Sequence, residues 1–122
     1  MKVLITGSRT WTDKEAIRRE LMKLPIGSIL VHGDCKTGAD AIAESLSIEL
    51  GFETRKYPAD WDTHGKKAGP IRNGSMLRKE HMSGDPIAFG LAFTENLRRS
   101  RGTADMVTKA RARGVRMEVI SE

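Results

Sequence analysis

The stretch Val31–Ala43, VHGDCKTGADAIA, constrains the fold most, because two glycines join the end of an apolar strand to the start of a helix within thirteen residues. Ile29, Leu30 and Val31 are apolar and mostly branched, as in a strand buried on both faces. Ala39, Ile42, Ala43, Leu46 and Leu50 then recur at steps of three and four, the stripe of a helix laid on a core. Gly51 is a natural stop for that helix. A strand covered on both faces and followed directly by a helix belongs to a parallel α/β sheet.

The same turn suggests chemistry. The first N–H groups of a helix have no intrahelical acceptor and lie at the positive end of its dipole, so an anion is welcome there. Glycines would let backbone approach it closely. The spacing H-G-x-x-x-x-G-A-D matches neither the dinucleotide G-x-G-x-x-G nor the P-loop G-x-x-x-x-G-K-[ST], since Ala39 and Asp40 stand where Lys and Ser/Thr would be. A Walker-type NTPase is therefore not expected, and a turn that binds nothing remains the competing reading.

The pattern repeats along the chain. Val3, Leu4 and Ile5 form a first strand ending at Gly7-Ser8-Arg9, and a capping box Thr12-x-x-Glu15 opens a helix with Ile17, Leu21 and Leu24 on one face and Pro25 closing it. Residues 52–57 read as a charged edge strand. The loop 58–69 is long for a strand-to-helix connection, a length associated with function. Pro70 suits the first turn of a third helix, which carries Arg72, Asn73, Met76 and Leu77, with Gly74 weakening it. An apolar strand over 87–93, a basic loop over 94–102, a helix over 103–113 and an alternating edge strand over 115–120 complete the chain, with Val115, Met117 and Val119 as the inward set.

Five strands alternating with four helices predict a Rossmann-like three-layer α/β/α domain. The apolar strands one, two and four belong in the middle and the amphipathic strands three and five outside, which gives a parallel sheet of order 3-2-1-4-5. The chain reverses between strands one and four, and ligands of such sheets bind at that reversal, above the carboxyl ends of the strands. Gly7, Ser8 and Arg9, the turn from Gly33 to Asp40 and the loop from Thr94 to Thr103 should therefore wall one crevice.

Composition narrows the class. The 122 residues suit one domain, and no apolar run approaches a membrane span. A strand beginning right after Met1-Lys2 leaves no room for a signal peptide, and a single cysteine, Cys35, agrees with a reducing compartment, so a cytoplasmic protein is expected. The 21 Lys and Arg against 16 Asp and Glu give a net charge of +5. That favours an anionic partner, nucleotide or nucleic acid. Cys35 has no neighbouring histidine to activate it, and His32, His64, His81 and Cys35 lack metal-ligand spacing. Neither a metal nor a cofactor is expected.

Four segments in order, ITGSR, HGDCKTGADAIA, PADWDTHGKKAGPIRNGSML and RGTADMVTKARARGV, resemble the YspA/cpYpsA-related SLOG family of bacteria and their phages. The resemblance implies a Rossmann-like fold that binds a nucleotide or a nucleotide derivative, related to the cytokinin-activating phosphoribohydrolases and to the DNA-processing protein DprA. In the phosphoribohydrolases a P-G-G-x-G-T-x-x-E motif supplies phosphate-binding backbone and a catalytic Glu, assisted by an Arg on the preceding helix. Arg101-Gly102-Thr103 resembles the tail of that loop, with Ser100 and Arg101 in place of glycines and Met106 in place of the Glu. Arg72, in an Arg-Asn pair also seen in DprA-like proteins, is similar to the assisting Arg.

Cleavage of a glycosidic bond through an oxocarbenium-like state needs a carboxylate. Asp34, Asp40, Asp60, Asp62 and Asp105 lie near the loops and helix starts, Asp105 one residue from the Met106 position; for Asp40 and Asp105 the competing role is a favourable charge at a helix N-terminus. The catalytic candidates are Arg72 and Asp105. Arg9, Arg72, Arg99 and Arg101 can fork a phosphate, whereas Arg98 or Arg99 could equally be solvated surface. Trp61 could stack on a base or plug the loop against the sheet, and His64 beside Asp62 could be an acid, a base or a ribose contact. The candidate ligand set is Gly7, Ser8, Arg9, Gly33, Asp34, Lys36, Thr37, Gly38, Asp40, Trp61, His64, Arg72, Asn73, Arg101, Gly102 and Thr103. Two functions follow. One is a binder, sensor or weak N-glycosidase for a phosphorylated nucleoside or ADP-ribose-like molecule; the other is a DprA-like binder of single-stranded nucleic acid, disfavoured by the shortage of aromatic residues. Self-association fits the fold, although no helix face demands it.

Overall fold

The computed structural model describes residues 1–82 and 84–121. Five strands, β1 (Lys2–Gly7), β2 (Ile29–His32), β3 (Glu53–Lys56), β4 (Phe89–Phe93) and β5 (Met117–Ile120), form one parallel sheet of order β3-β2-β1-β4-β5. Its order is the one expected from strand polarity. β1 pairs with β2 from Lys2↔Ile29 and with β4 from Val3↔Phe89 to Gly7↔Phe93. Side chains alternate along these central strands and build a core on each face.

Helices α1 (Lys14–Leu21) and α2 (Ala39–Leu50) cover one face, where Val3, Ile5, Leu30, Leu91 and Phe93 pack with Ile17, Leu21, Ala43 and Leu46. Trp11 closes this core beside Phe93, with ring centroids 5.8 Å apart. The opposite face carries α4 (Ala68–His81) and α5 (Arg101–Ala112), which bury Met76, Leu77, Met106, Val107 and Ala110 against Leu4, Val31 and Ala92. Two cores on two faces leave the carboxyl edge of the sheet as the place where turns from both layers meet. No helix among the described residues is long and apolar enough to cross a membrane.

Local expectations needed correction at several points. The N-cap of α1 is Asp13, not Thr12: the Asp13 carboxylate accepts from the Ala16 N–H at 3.1 Å, and the Trp11 indole fixes the turn by donating to the Asp13 carbonyl. Leu24 lies in the turn beyond α1 yet still packs on the core. Residues 58–69 are not an open loop. Asp60 caps a short helix α3 (Trp61–His64), a 3₁₀ turn over Gly65–Lys67 follows, and α4 begins at Ala68, so Pro70 still falls in a first turn that needs no N–H from it. The last helix starts at Arg101 rather than 103, and β4 and β5 start two residues later than expected, at Phe89 and Met117. Val119 is 38% exposed, outside the inward set, because an edge strand has no layer over its far end.

A polar cluster ties the layers together beneath the α4 side. The buried Lys2 ammonium donates to the Glu80 and Asp85 carbonyls and sits 3.0 Å from the Glu80 carboxylate. Arg55 reaches that carboxylate at 2.9 Å, and the Tyr57 hydroxyl donates to its other oxygen. Burial opposes ionisation of Glu80, but the bonds from Tyr57, Lys2 and Arg55 outweigh it and hold the carboxyl below its ordinary value. Burial and the same carboxylate push the Tyr57 hydroxyl up to about 12.

Candidate functional site

Three strand-to-helix turns converge at the carboxyl edge, as the reversal between β1 and β4 requires. After β1 the chain turns at Ser8, whose N–H donates to the Phe93 carbonyl at 2.8 Å. Its hydroxyl meets those of Thr94 and Ser100 at 2.6 Å each, and these two meet at 2.7 Å. This triangle of hydroxyls fastens the end of β1 to the end of β4 and to the N-cap of α5.

The turn after β2 is shaped by contacts that only small or left-handed residues permit. Gly38 has φ +77°, and a Cβ there would come within 2.2 Å of the Ser8 carbonyl oxygen. Asp34 also adopts a positive φ, 56°, a conformation tolerated by Asp. Its N–H donates to Nδ1 of the buried His32 at 3.0 Å, so His32 carries its proton on Nε2 and donates to Glu44 at 2.8 Å. Burial raises the Glu44 carboxyl, but the bonds from His32 and Thr54 outweigh it and leave the group below its ordinary value.

Arg72 of α4 reaches across the gap between layers. Its Nη1 donates to the Gly33 carbonyl at 2.5 Å and to the Tyr57 carbonyl at 3.1 Å, and its Nε donates to Asn73 Oδ1 at 2.8 Å. A Cβ on residue 33 would stand 2.1 Å from Nη1, so a larger residue there would displace the guanidinium from the Gly33 carbonyl. Nη2 has no protein acceptor among the described residues. Asn73, almost fully buried, donates to the Gly102 carbonyl at 3.2 Å and to Asp105 at 3.0 Å, and Lys109 pairs with the same Asp105 oxygen at 2.9 Å. Arg72 and Asn73 thus clamp the turn after β2 to the start of α5.

These turns enclose a cavity of about 270 Å³, walled by the end of β1 through Arg9 and Thr10, by Gly33, Cys35 and Asp40, by Arg72, Asn73 and Met76, and by Arg99 to Thr103. A second lobe of about 290 Å³ shares Arg9, Gly33, Cys35 and Arg72 with it and continues past Asp34, Lys36 and Thr37 to Pro58, Ala59 and Trp61. Trp61 is 45% exposed, and the Arg9 guanidinium lies over its ring at 5.1 Å. Arg9 therefore stands at the junction of the lobes, in cation–π contact with the aromatic wall.

The electrostatics of the two helix mouths differ. At α2 the first amide, that of Ala39, already donates to the Ser8 carbonyl at 3.1 Å, and the Asp40 carboxyl is packed beside it. Asp40 is 5% exposed, and its Oδ2 accepts from the Cys35 N–H at 3.3 Å. Burial pushes this carboxyl above its ordinary value, with His32, the Cys35 N–H and Arg72 opposing. Burial and the Asp40 charge likewise push the Cys35 thiol up, so it is not an activated thiolate. At α5, by contrast, the amides of Arg101, Gly102 and Thr103 lack intrahelical acceptors, and these residues line the cavity. The α5 mouth therefore holds free amides with no acidic residue in its first turn, and it belongs, like the α2 turn, to the set that the sequence put forward.

Of the residues expected from sequence, Gly7, Ser8, Arg9, Gly33, Asp40, Arg72, Asn73, Arg101, Gly102 and Thr103 line the first lobe, and Asp34, Lys36, Thr37 and Trp61 line the second. Three stand off both walls. Gly38 is pressed on the Ser8 backbone, His64 is exposed on α3, and Asp105 is held by Asn73 and Lys109. Ile5, Thr6, Thr10, Met76, Pro58 and Ala59 line the lobes outside the expected ligand set, while Ser100 falls in the loop from Thr94 to Thr103 that was expected to wall the crevice.

Residues 1–64 match the YspA, cpYpsA-related SLOG family, and the chain is 39% identical to the Gene 61 protein of Mycobacterium phage D29 over 123 aligned residues, 93% of this chain and 91% of the phage protein. The chain belongs to the YspA, cpYpsA-related SLOG family. The stretch matched to the SLOG family contains the turns after β1 and β2, and the alignment with the phage protein extends over most of the remainder. As a SLOG protein it differs from the phosphoribohydrolase pattern where position 106 is concerned: Met106 is fully buried in the core beneath α5 and does not reach the cavity wall.

Proposed function

We propose that this protein binds a phosphorylated nucleoside or an ADP-ribose-like molecule in the two-lobed cavity, and acts as a sensor or sequestering protein for it. The observation that carries the reading is the run of amides at Arg101, Gly102 and Thr103 on the wall of a cavity also lined by Arg9, Arg72 and Arg99. Amides at a helix N-terminus and guanidinium groups together are a phosphate-binding chemistry. The second lobe, with Trp61 and Pro58, suits a planar base. Membership of the SLOG family supports a nucleotide-related ligand. Binding rather than turnover is favoured because Asp105, the carboxylate named for catalysis, is engaged by Asn73 and Lys109 away from both walls of the cavity.

Isothermal titration with adenosine monophosphate, ADP-ribose and ribose 5-phosphate tests this. Micromolar binding that Arg72→Ala and Gly33→Val abolish is expected, with no free base on chromatography after long incubation. Absence of heat with every nucleotide, in a folded sample, overturns the reading. Tight binding of single-stranded DNA that falls steeply with salt would favour the nucleic-acid alternative instead.

A further inference from the structure

The buried side chains around the first lobe are almost all satisfied. Asn73 is bonded at both its oxygen and its nitrogen, and Ser8 and Ser100 close the hydroxyl triangle. Asp40 Oδ1 is the exception: it is buried and has no hydrogen-bond partner among the described residues, while Oδ2 is held by the Cys35 N–H. An unpartnered buried oxygen carries a desolvation cost that a bound group can remove.

We propose that the Asp40 carboxyl, turning to bring the enclosed Oδ1 out to the lobe it lines, takes a hydroxyl of the ligand's sugar, so that the cavity selects a phosphorylated pentose with its hydroxyls over phosphate alone. This rests on the phosphate site assigned to α5. The group met by Asp40 must be a donor, since a carboxylate repels the phosphate itself. It must also lie close to the phosphate along the ligand. Asp40 lines the first lobe, with the α5 amides, and is absent from the second, where Trp61 lies. An amino group on a base stacked at Trp61 would be in the wrong lobe. The α2 and α5 mouths follow β2 and β4, which flank β1, so they are separated by two strand spacings, about 10 Å. That gap accommodates a pentose phosphate with a hydrogen bond at either end.

The alternative is that Asp40 serves only the α2 helix terminus, in which case its removal alters stability and leaves ligand preference untouched. Titration calorimetry with inorganic phosphate, ribose 5-phosphate and tetrahydrofurfuryl phosphate, which has the ring and phosphate without hydroxyls, separates these. The wild-type protein is expected to prefer ribose 5-phosphate to the hydroxyl-free ring by about tenfold or more, and Asp40→Ala to bind the two within about twofold with phosphate affinity not weakened. Asp40→Asn, which keeps the side-chain volume, should narrow the preference in the same direction and covers the case in which the alanine variant does not fold. Equal affinity of the wild-type protein for the two ring phosphates, or an unchanged preference in the folded variants, overturns the assignment of Asp40 and leaves the phosphate site standing. No binding of phosphate or of either ring phosphate overturns the α5 site itself, and the inference with it.

Discussion

Two glycines and one carboxyl show how individual residues shape the site. A side chain at 38 would be strained by φ +77° and would collide with the Ser8 and Arg9 backbone, whereas at Gly102, inside the first turn of α5, an added Cβ meets nothing within 4 Å. Gly38→Ala should therefore cost about 2 to 3 kcal/mol. Gly102→Ala should be neutral or stabilising by about 0.5 kcal/mol, both read from urea unfolding midpoints. If the two substitutions cost the same, the close packing of the α2 turn on Ser8 is wrong. Asp40 makes the opposite kind of prediction. Its folded carboxyl is raised by burial, so the folded state holds the proton more tightly than the unfolded chain does, and stability contributed by the neutral form is lost as pH rises through the raised value. At neutral pH Asp40→Asn should stabilise the ligand-free protein by about 1 kcal/mol, the sign seen when a group is kept for binding rather than for folding. A lower unfolding midpoint for Asp40→Asn at pH 7 would contradict the desolvation cost assigned to this carboxyl.

At the scale of elements, α5 decides what the site can do. The helix presents its first turn to the cavity and its inward face, Thr103, Met106, Val107 and Ala110, to the core. Met106→Glu restores the Glu of the phosphoribohydrolase motif, yet at this fully buried position it places a carboxylate among Met76, Leu77 and Val107. The expected result is a loss of about 3 to 5 kcal/mol and no gain of hydrolysis, measured by thermal unfolding and by free base released. A folded, hydrolytic Met106→Glu protein would refute the placement of this helix face. The sheet order was legible because strand polarity is a whole-strand property: Glu53, Arg55 and Lys56 could not sit in the middle, and Val3, Leu4 and Ile5 could not sit outside. Helix α3 was not legible, since four residues, Trp61 to His64, are too few to show a period, and Asp60 is recognisable as a cap only once the Thr63 N–H is seen at 3.2 Å. The site was legible as turns and not as contacts. Arg72 and Asn73 could be picked out as an Arg-Asn pair, but nothing in the sequence says that Arg72 grips carbonyls 15 and 39 residues away, or that Asp105 serves Asn73.

Across the whole molecule, the Glu80 cluster links the beginning of β1 to the cavity. Lys2 and Arg55 converge on its carboxylate, and Tyr57 donates to it while its carbonyl accepts from Arg72, which in turn holds Gly33. The folded Glu80 carboxyl is depressed, so the stability it contributes is fully present above the carboxyl's unfolded value and is lost as pH falls through the lower, folded one. Acid should therefore loosen the α4 layer as Glu80 takes up its proton. Glu80→Gln keeps the shape but removes the charge that Lys2 and Arg55 face, with Lys2 still held by two backbone carbonyls. The expected loss at pH 7 is about 2 to 3 kcal/mol, shrinking toward zero as the wild-type carboxyl protonates. Thermal unfolding of both proteins from pH 7 down to pH 3 gives the difference directly. Two curves that stay parallel over that range would show that charge on Glu80 is not what fastens β1, β3 and α4 together; curves that converge only on the acid side would show that it is.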